Sequence, residues 1–244
     1  MIVHHLTCAA IPFPGMPAEL PPIPCHVLLL ETGTGLVLVD AGFAVADHLE
    51  SGFPGPVELA ARHQVERLGF TVEDVTDIVV THMDGDHIGG LVDFPHARVH
   101  VTADEHAAAV HGDYDPADSR YRPRDWAHGP LFELHAGAGD TEVLGLTGHA
   151  VLPGVTLVPM AGHTPGHAIV VVETGDGVVV HAGDASFDGS VHGAIAEIAF
   201  LRDLERGTSF LPERLTGNHR ELARLAAIPG VSVVNTHDAR LLAS

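Results

Sequence analysis

Directly behind the apolar run Asp77–Thr81 (DIVVT) stands His82-Met83-Asp84-Gly85-Asp86-His87-Ile88-Gly89-Gly90. Two imidazoles and two carboxylates therefore crowd into six residues, His82 to His87, at the end of a segment whose composition is that of a short buried strand. A polar loop rich in His and Asp by chance would not be expected immediately after such a strand. Gly85, Gly89 and Gly90 let the backbone bend where these side chains converge. A loop at a strand end can turn His82 and Asp84 one way and Asp86 and His87 another.

Three later stretches repeat the pattern: Ala161-Gly162-His163-Thr164-Pro165-Gly166-His167 after one apolar run, His181-Ala182-Gly183-Asp184 after another, and Asn235-Thr236-His237-Asp238 after the last. Each puts a side chain able to bind a metal at a strand end. Between them, residues 26–31 and 35–40 read as a hairpin around Thr32-Gly33-Thr34. Further strands are expected at 77–81, 98–102, 155–159, 168–173, 177–182 and 231–235, with helices near 57–68, 103–110 (begun by Thr102 or Asp104) and 213–227. Residues 112–135 are polar, interrupted by Pro and Gly, and are expected to form a long surface segment or lid. Two sheets with helices outside them fit this alternation, although periodicity alone does not give that topology.

Twelve Lys and Arg against 32 Asp and Glu leave a formal charge of −20, which argues against a phosphate-backbone partner. No apolar run is long enough to span a membrane. The N-terminus, MIVHHLTCAAIPFPGMP, lacks a basic region and is broken by prolines, so it does not read as a signal peptide and a cytoplasmic location is expected. Cys8 and Cys25 lie in no metal-binding spacing and are expected to be buried free thiols. The 20 histidines are the unusual count, and their placement carries the functional reading.

The four motifs, in this order, resemble those of the metallo-β-lactamase superfamily, from about residue 26 to residue 238. That resemblance implies a four-layer αββα sandwich in one domain covering residues 1–244. It also implies two divalent metal ions, one held by His82, Asp84 and His163, the other by Asp86, His87 and His237, with Asp184 bridging them. Asp40 would orient ligands from behind, and His167 would support the site without binding metal. Most other histidines, His4, His5, His106, His111 and His219 among them, read as surface residues.

Asp84 departs from the family pattern, which has His there. Two divalent ions against three carboxylates leave one net positive charge, where the usual two carboxylates leave two. Weaker Lewis acidity and a preference shifted from zinc toward iron or manganese are the expected consequences. Zinc stays the first candidate. The diiron branch of the superfamily also has a carboxylate, Glu, at this position.

The resemblance implies a metallo-hydrolase in which a metal-bridging hydroxide attacks a small lactone, ester or thioester, with Asp86 passing the proton. The small acyl-homoserine-lactone lactonases and esterases look nearest, but where they carry a tyrosine this chain has Phe187, which donates no hydrogen bond. Tyr121, Arg122 and Trp126, in the Arg120–Trp126 stretch, are candidates for gripping substrate, with a salt-bridged packing segment as the competing reading. A diiron protein reacting with oxygen or nitric oxide, a true β-lactamase, a metal-stabilised binding protein and a nuclease are the alternatives, the last opposed by the net charge. The expected partner is a small molecule, not nucleic acid or membrane.

Overall fold

The alternating side chains of the apolar runs put one hydrophobic set on each face of a strand, so a sheet built from them must be covered on both sides. The computed structural model, which describes residues 1–51, 53–112, 120–193 and 195–241, meets that demand with two six-stranded sheets packed face to face. The first consists of β1 (Ile2–Thr7), β2 (His26–Glu31), β3 (Leu36–Val39), β4 (Val75–Val79), β5 (Arg98–Thr102) and β6 (Leu131–His135), in that order. The second runs β12 (Val231–Val234), β11 (Val178–His181), β10 (Ala168–Glu173), β9 (Val155–Pro159), β8 (Leu146–Leu152), β7 (Thr141–Val143). Both are mixed: β1–β3 pair antiparallel and β3–β6 parallel, while β7–β11 pair antiparallel and β11–β12 parallel.

Leu28, Leu30, Val37, Val39 and Val79 of the first sheet meet Val155, Leu157, Ala168, Val170 and Val172 of the second in one buried layer. Their neighbours face the other way. Val27, Leu29, Leu38, Ile78 and Val99 pack with Ala61 and Val65 of α2 (Ala61–Arg67) and Ala109 of α4 (Ala103–His111). Ile169, Val171 and Val180 pack with Leu222 and Leu225 of α6 (Pro212–Ala226). Full burial of each such aliphatic side chain is worth about 1.5–3 kcal/mol, and the period-two alternation makes the sandwich the arrangement that collects it on both faces. The remaining helices are α1 (Val45–Ser51), the four-residue α3 (Gly85–Ile88) and α5 (Ala199–Thr208).

The 26–31/35–40 hairpin forms as β2–β3, with Thr32 N–H and Oγ1 both donating to Gly35 O across the turn. Thr102 caps α4, its side chain accepting from Glu105 N. The helix expected at 57–68 is instead a 3-10 turn, Val57–Leu59, followed by α2, because the chain is extended at Ala60 (ψ 136°). Strands β1, β6, β7 and β8 and helices α1 and α5 were not anticipated. The segment expected as a surface lid ends in β6, the edge of the first sheet, after a 3-10 turn at Pro123–Asp125. Its residues 113–119 lie outside those described. Cys8 and Cys25 are free and buried, and among the described residues no helix is long and apolar enough to cross a membrane.

Candidate metal centre

Strands β3, β4, β9, β11 and β12 all deliver the chain to one rim, and the loops that follow carry Asp40, His82–His87, His163, Asp184 and His237. Two groups result. In the first, His82, Asp84, His163 and Asp184 each offer a donor atom within 4.8 Å of the others; in the second, His87, Asp184 and His237 do so. Asp184 belongs to both. Its Oδ2 lies 3.3 Å from His163 Nε2 and 3.2 Å from His237 Nε2, while Oδ1 lies 3.4 Å from His87 Nε2. Asp84 Oδ2 is 3.2 Å from His82 Nε2 and 3.1 Å from His163 Nε2. Asp86 Oδ2 stands a little farther off, 3.8 Å from His87 Nε2 and 3.7 Å from His237 Nε2.

The imidazoles are held from behind. His87 Nδ1–H donates to Asp40 Oδ2 at 2.8 Å, His237 Nδ1–H to Pro24 O at 2.9 Å, and His82 Nδ1–H to Thr81 Oγ1 at 3.1 Å. Each bond fixes the tautomer that turns the Nε2 lone pair toward the carboxylates. Asp40 also accepts from Thr81 N–H and Oγ1–H, both at 2.8 Å, so one carboxylate sets the start of the ligand loop and one ring. It does so in a left-handed backbone conformation, φ 62°, which Asp tolerates better than most residues. A Cβ at Gly90 would meet Ala41 O at 2.2 Å, so only glycine lets the His82–Gly90 loop lie against the loop that carries Asp40. His167 lies outside both groups. Its Nε2 accepts from the Asp184 backbone N–H at 3.0 Å and so places that residue.

The residues fit a cation pair on two observations. Buried Nε2 of His82 and His87 and Oδ1 of Asp184 have no hydrogen-bond partner, although burying such atoms unsatisfied is costly. The charges tell the same story. Burial alone would raise the Asp184 carboxyl, yet His237, His87 and His163 hold it well below the usual range. Burial would lower His87 and His237, yet Asp184 above all, with Asp40 and Asp86 at His87 and Asp86 at His237, lifts both. The cluster is built around positive charge.

Arg120 supplies some of it. Its Nε lies 3.0 Å from Asp84 Oδ1, and its Nη2–H donates to His163 Nε2 at 3.1 Å. Burial would raise Asp84, but His82, His163 and Arg120 keep its carboxyl well below the ordinary value. The extra carboxylate at position 84 therefore comes with its own counter-charge, and the net positive charge counted from ligands alone rises again by one.

Tyr121, Arg122 and Trp126 have other partners. Tyr121 is buried and its hydroxyl donates to Glu105 Oε1 at 3.0 Å; its ring stacks on Phe210. Arg122 donates to Asp125 and to Gly85 O, at 2.7 and 3.0 Å, and its guanidinium leaves no room for a Cβ at Gly85. Trp126 packs partly buried against the first core. Phe187 does face the site, its ring 4.5 Å from that of His237 and 5.5 Å from that of His163.

Two further residues escaped sequence reasoning. Glu105, buried on α4, accepts from Met83 N, Thr164 Oγ1 and Gly166 N at 2.8, 2.7 and 3.1 Å, tying the two ligand loops together. Cys25 Sγ donates to Asp86 Oδ2 at 3.6 Å, and its donor atom groups with those of Asp86 and His237. An apolar recess opens beside His237, lined by Met16, Leu20, Pro22, Ile23, Ile198 and Leu201 among others.

A family model described as the metallo-beta-lactamase superfamily matches residues 20–225, leaving His237 just beyond it. A probable metallo-hydrolase of Mycobacterium tuberculosis is 39% identical over 254 residues, 97% of this chain and 80% of that protein. An N-acyl homoserine lactonase of Bacillus sp is 30% identical over 184 residues, 70% of this chain and 67% of that one. The crystal structure of a quorum-quenching N-acyl homoserine lactone lactonase shares the fold at TM-score 0.72 and 23% identity, over 98% of this chain and 92% of that one. With its four motifs converging on one rim and most of its length matched by the family model, the chain belongs to the metallo-β-lactamase superfamily as a metallo-hydrolase.

Proposed function

We propose that the chain hydrolyses a small lactone, ester or thioester with two divalent ions, zinc first among them. The observation that carries this is the pair of carboxylate–imidazole groups sharing Asp184. His82, Asp84 and His163 would hold one ion, Asp86, His87 and His237 the other, with Asp184 common to both. Such ions supply a water that ionises near neutral pH and a Lewis acid for the scissile carbonyl.

The chain's own residues do the rest. Asp40, Thr81 and Pro24 O hold the imidazoles of His87, His82 and His237 in the ligating tautomer. Asp86, whose side chain is 23% exposed against 3% for Asp184, is the carboxylate placed to take a proton and return it to a leaving group. Phe187 covers the imidazoles of His163 and His237 without donating, so it shields the centre from water and lends no hydrogen bond to a carbonyl. The apolar recess beside His237 suits an aliphatic or acyl substituent. The lactonase names of relatives in Bacillus agree with that substrate class. Two free, buried thiols suit a reducing compartment, and we place the protein in the cytoplasm.

The test is elemental analysis of protein reconstituted with Zn, Mn or Fe, followed by a panel of lactones, esters, thioesters and β-lactams. At least two ions per chain and turnover of an acyl substrate are expected, with turnover and the two tightly held ions largely lost in Asp184→Asn. A metal content that stays at or below one in every reconstitution sinks the two-ion reading. If nothing in the panel is cleaved while the reduced iron form consumes oxygen with turnover, redox chemistry replaces hydrolysis.

A further inference from the structure

We propose that His100, His135 and Glu133 form a separate binding site for a divalent transition-metal ion of the zinc class, at the open edge of the first sheet. The three residues come from adjacent parallel strands, His100 on β5 and the other two on β6, with His100 paired in register with Glu133 and Thr102 with His135. Val99 and Val101 point into the helix-side core, so His100 is turned to the opposite face, toward the second sheet. There the ring of His135 stacks on that of His100 and lies 5.3 Å from the ring of His149 on β8. None of these residues belongs to the rim that carries Asp184.

One donor atom from each of His100, Glu133 and His135 lies within 4.8 Å of the other two. His100 Nδ1 and His135 Nε2 are 3.2 Å apart. Two imidazole nitrogens bound tetrahedrally to zinc at 2.0–2.1 Å would be separated by about 3.3 Å. The outer contacts have the right sense as well. His100 Nε2–H donates to Asp77 Oδ1 at 3.0 Å, which leaves the Nδ1 lone pair facing His135, the carboxylate–histidine arrangement common behind metal ligands. His149 is a wall of the site, its Nε2 spent on Gly137 O at 3.1 Å.

An ion can reach the site. His135 is only partly buried and Glu133 is exposed. The present partner of Glu133 is Arg98 at 3.5 Å, with side chains 48% and 59% exposed, a pair of the kind worth little and readily exchanged. Two imidazoles and one carboxylate, with water completing the shell, suit zinc, nickel or copper better than magnesium or calcium. A bound ion would clip the edge strand β6 to β5.

The competing account of the same distances is a plain hydrogen bond from His135 Nε2–H to His100 Nδ1, with no ion. Chelator-stripped full-length protein titrated with Zn²⁺ against a chromophoric chelator separates the two. Wild type is expected to bind one equivalent, weaker than the rest, that His135→Gln lacks and that Glu133→Gln binds at least tenfold less tightly. Asp184→Asn is expected to keep that equivalent, and His135→Gln to keep acyl hydrolysis. Because Glu133 is exposed, its variant should fold whatever becomes of His135→Gln. Equal zinc stoichiometry in wild type and His135→Gln, or unchanged weak-site affinity in Glu133→Gln, overturns the proposal. Failure of the buried centre has a different signature: an Asp184→Asn protein whose metal content matches wild type.

Discussion

Replacing Arg120 with Met, which keeps an unbranched apolar stem and removes the charge, is expected to tighten zinc binding and to slow turnover. Arg120 Nε and Asp84 Oδ1 are 3.0 Å apart, with side chains 21% and 9% exposed. At an effective dielectric near 20, that separation gives a gross attraction of about 5 kcal/mol. Solvent screening at the partly exposed Arg120 weakens that attraction, so a pairwise coupling of about 2 kcal/mol is the expectation. It can be read directly from a double-mutant cycle of Asp84→Asn and Arg120→Met, by urea unfolding of chelator-stripped protein. The same substitution frees Asp84 and the His163 Nε2 lone pair from the guanidinium, and a relief of about 1.4 kcal/mol or more is at least about tenfold in zinc affinity. Turnover should move the other way, because the centre returns from two net positive charges to one and polarises water and carbonyl less. A coupling below about 0.5 kcal/mol, or zinc affinity that is unchanged or weaker in Arg120→Met, would show that the guanidinium does not balance Asp84.

Glu105→Ala strands Met83 N–H, Thr164 Oγ1–H, Gly166 N–H and the Tyr121 hydroxyl in the interior. A loss of about 3–5 kcal/mol in urea unfolding is expected, and a loss under about 1 kcal/mol would refute the claim that this carboxylate joins the ligand loops. His192 is held by burial, with His219 adding to it, down to about 4 from an ordinary 6.5. Between those values the unfolded chain takes a proton that the folded chain refuses. Stability should therefore fall by about 3 kcal/mol as pH drops from 6.5 to 4, and by visibly less in His192→Gln; equal pH slopes in the two proteins would rule out His192 as a contributor.

The residues that converge at the rim could be read from the chain because each is announced locally. A strand that is apolar on both faces ends, and a His or Asp follows within a few residues, at 82–87, 163, 184 and 237, with a glycine close by at all but the last. Geometry at the rim follows from the sheet, so convergence was legible too. Edge and surface elements were not. Strand β6 reads LFELH with most of its residues exposed, and β8 buries only Gly148 and His149, so neither shows the buried pattern of β2 or β10. Helix α5 differs: Phe200, Leu201 and Leu204 fall at helical spacing and pack on the first core, so its periodicity was present in the sequence, and only the burial of Glu205 beside them was hidden.

The same distinction explains why the motif alone does not show the charge that surrounds Asp84. Counting Asp84, Asp86 and Asp184 against two ions treats the ligand loop as though its electrostatics were local. Coulomb interactions fall off with distance in space and take no account of distance along the chain. The cation that matters, Arg120, sits in a segment whose sequence suggested a lid, and its neighbours Arg122 and Arg124 pair with Asp47 and Asp125 instead. What separates Arg120 from them is the fold: Tyr121, anchored on Glu105, is buried against the same carboxylate that holds Met83 and Gly166, and this sets the adjoining residue over Asp84 and His163. Substitution of a ligand by a carboxylate and recruitment of a counter-charge are then one structural event, and Asp84→His made alone would leave Arg120 facing the ions without its partner. The double substitution Asp84→His with Arg120→Met, and not the single one, is the change that would install the usual ligand set at an unchanged net charge.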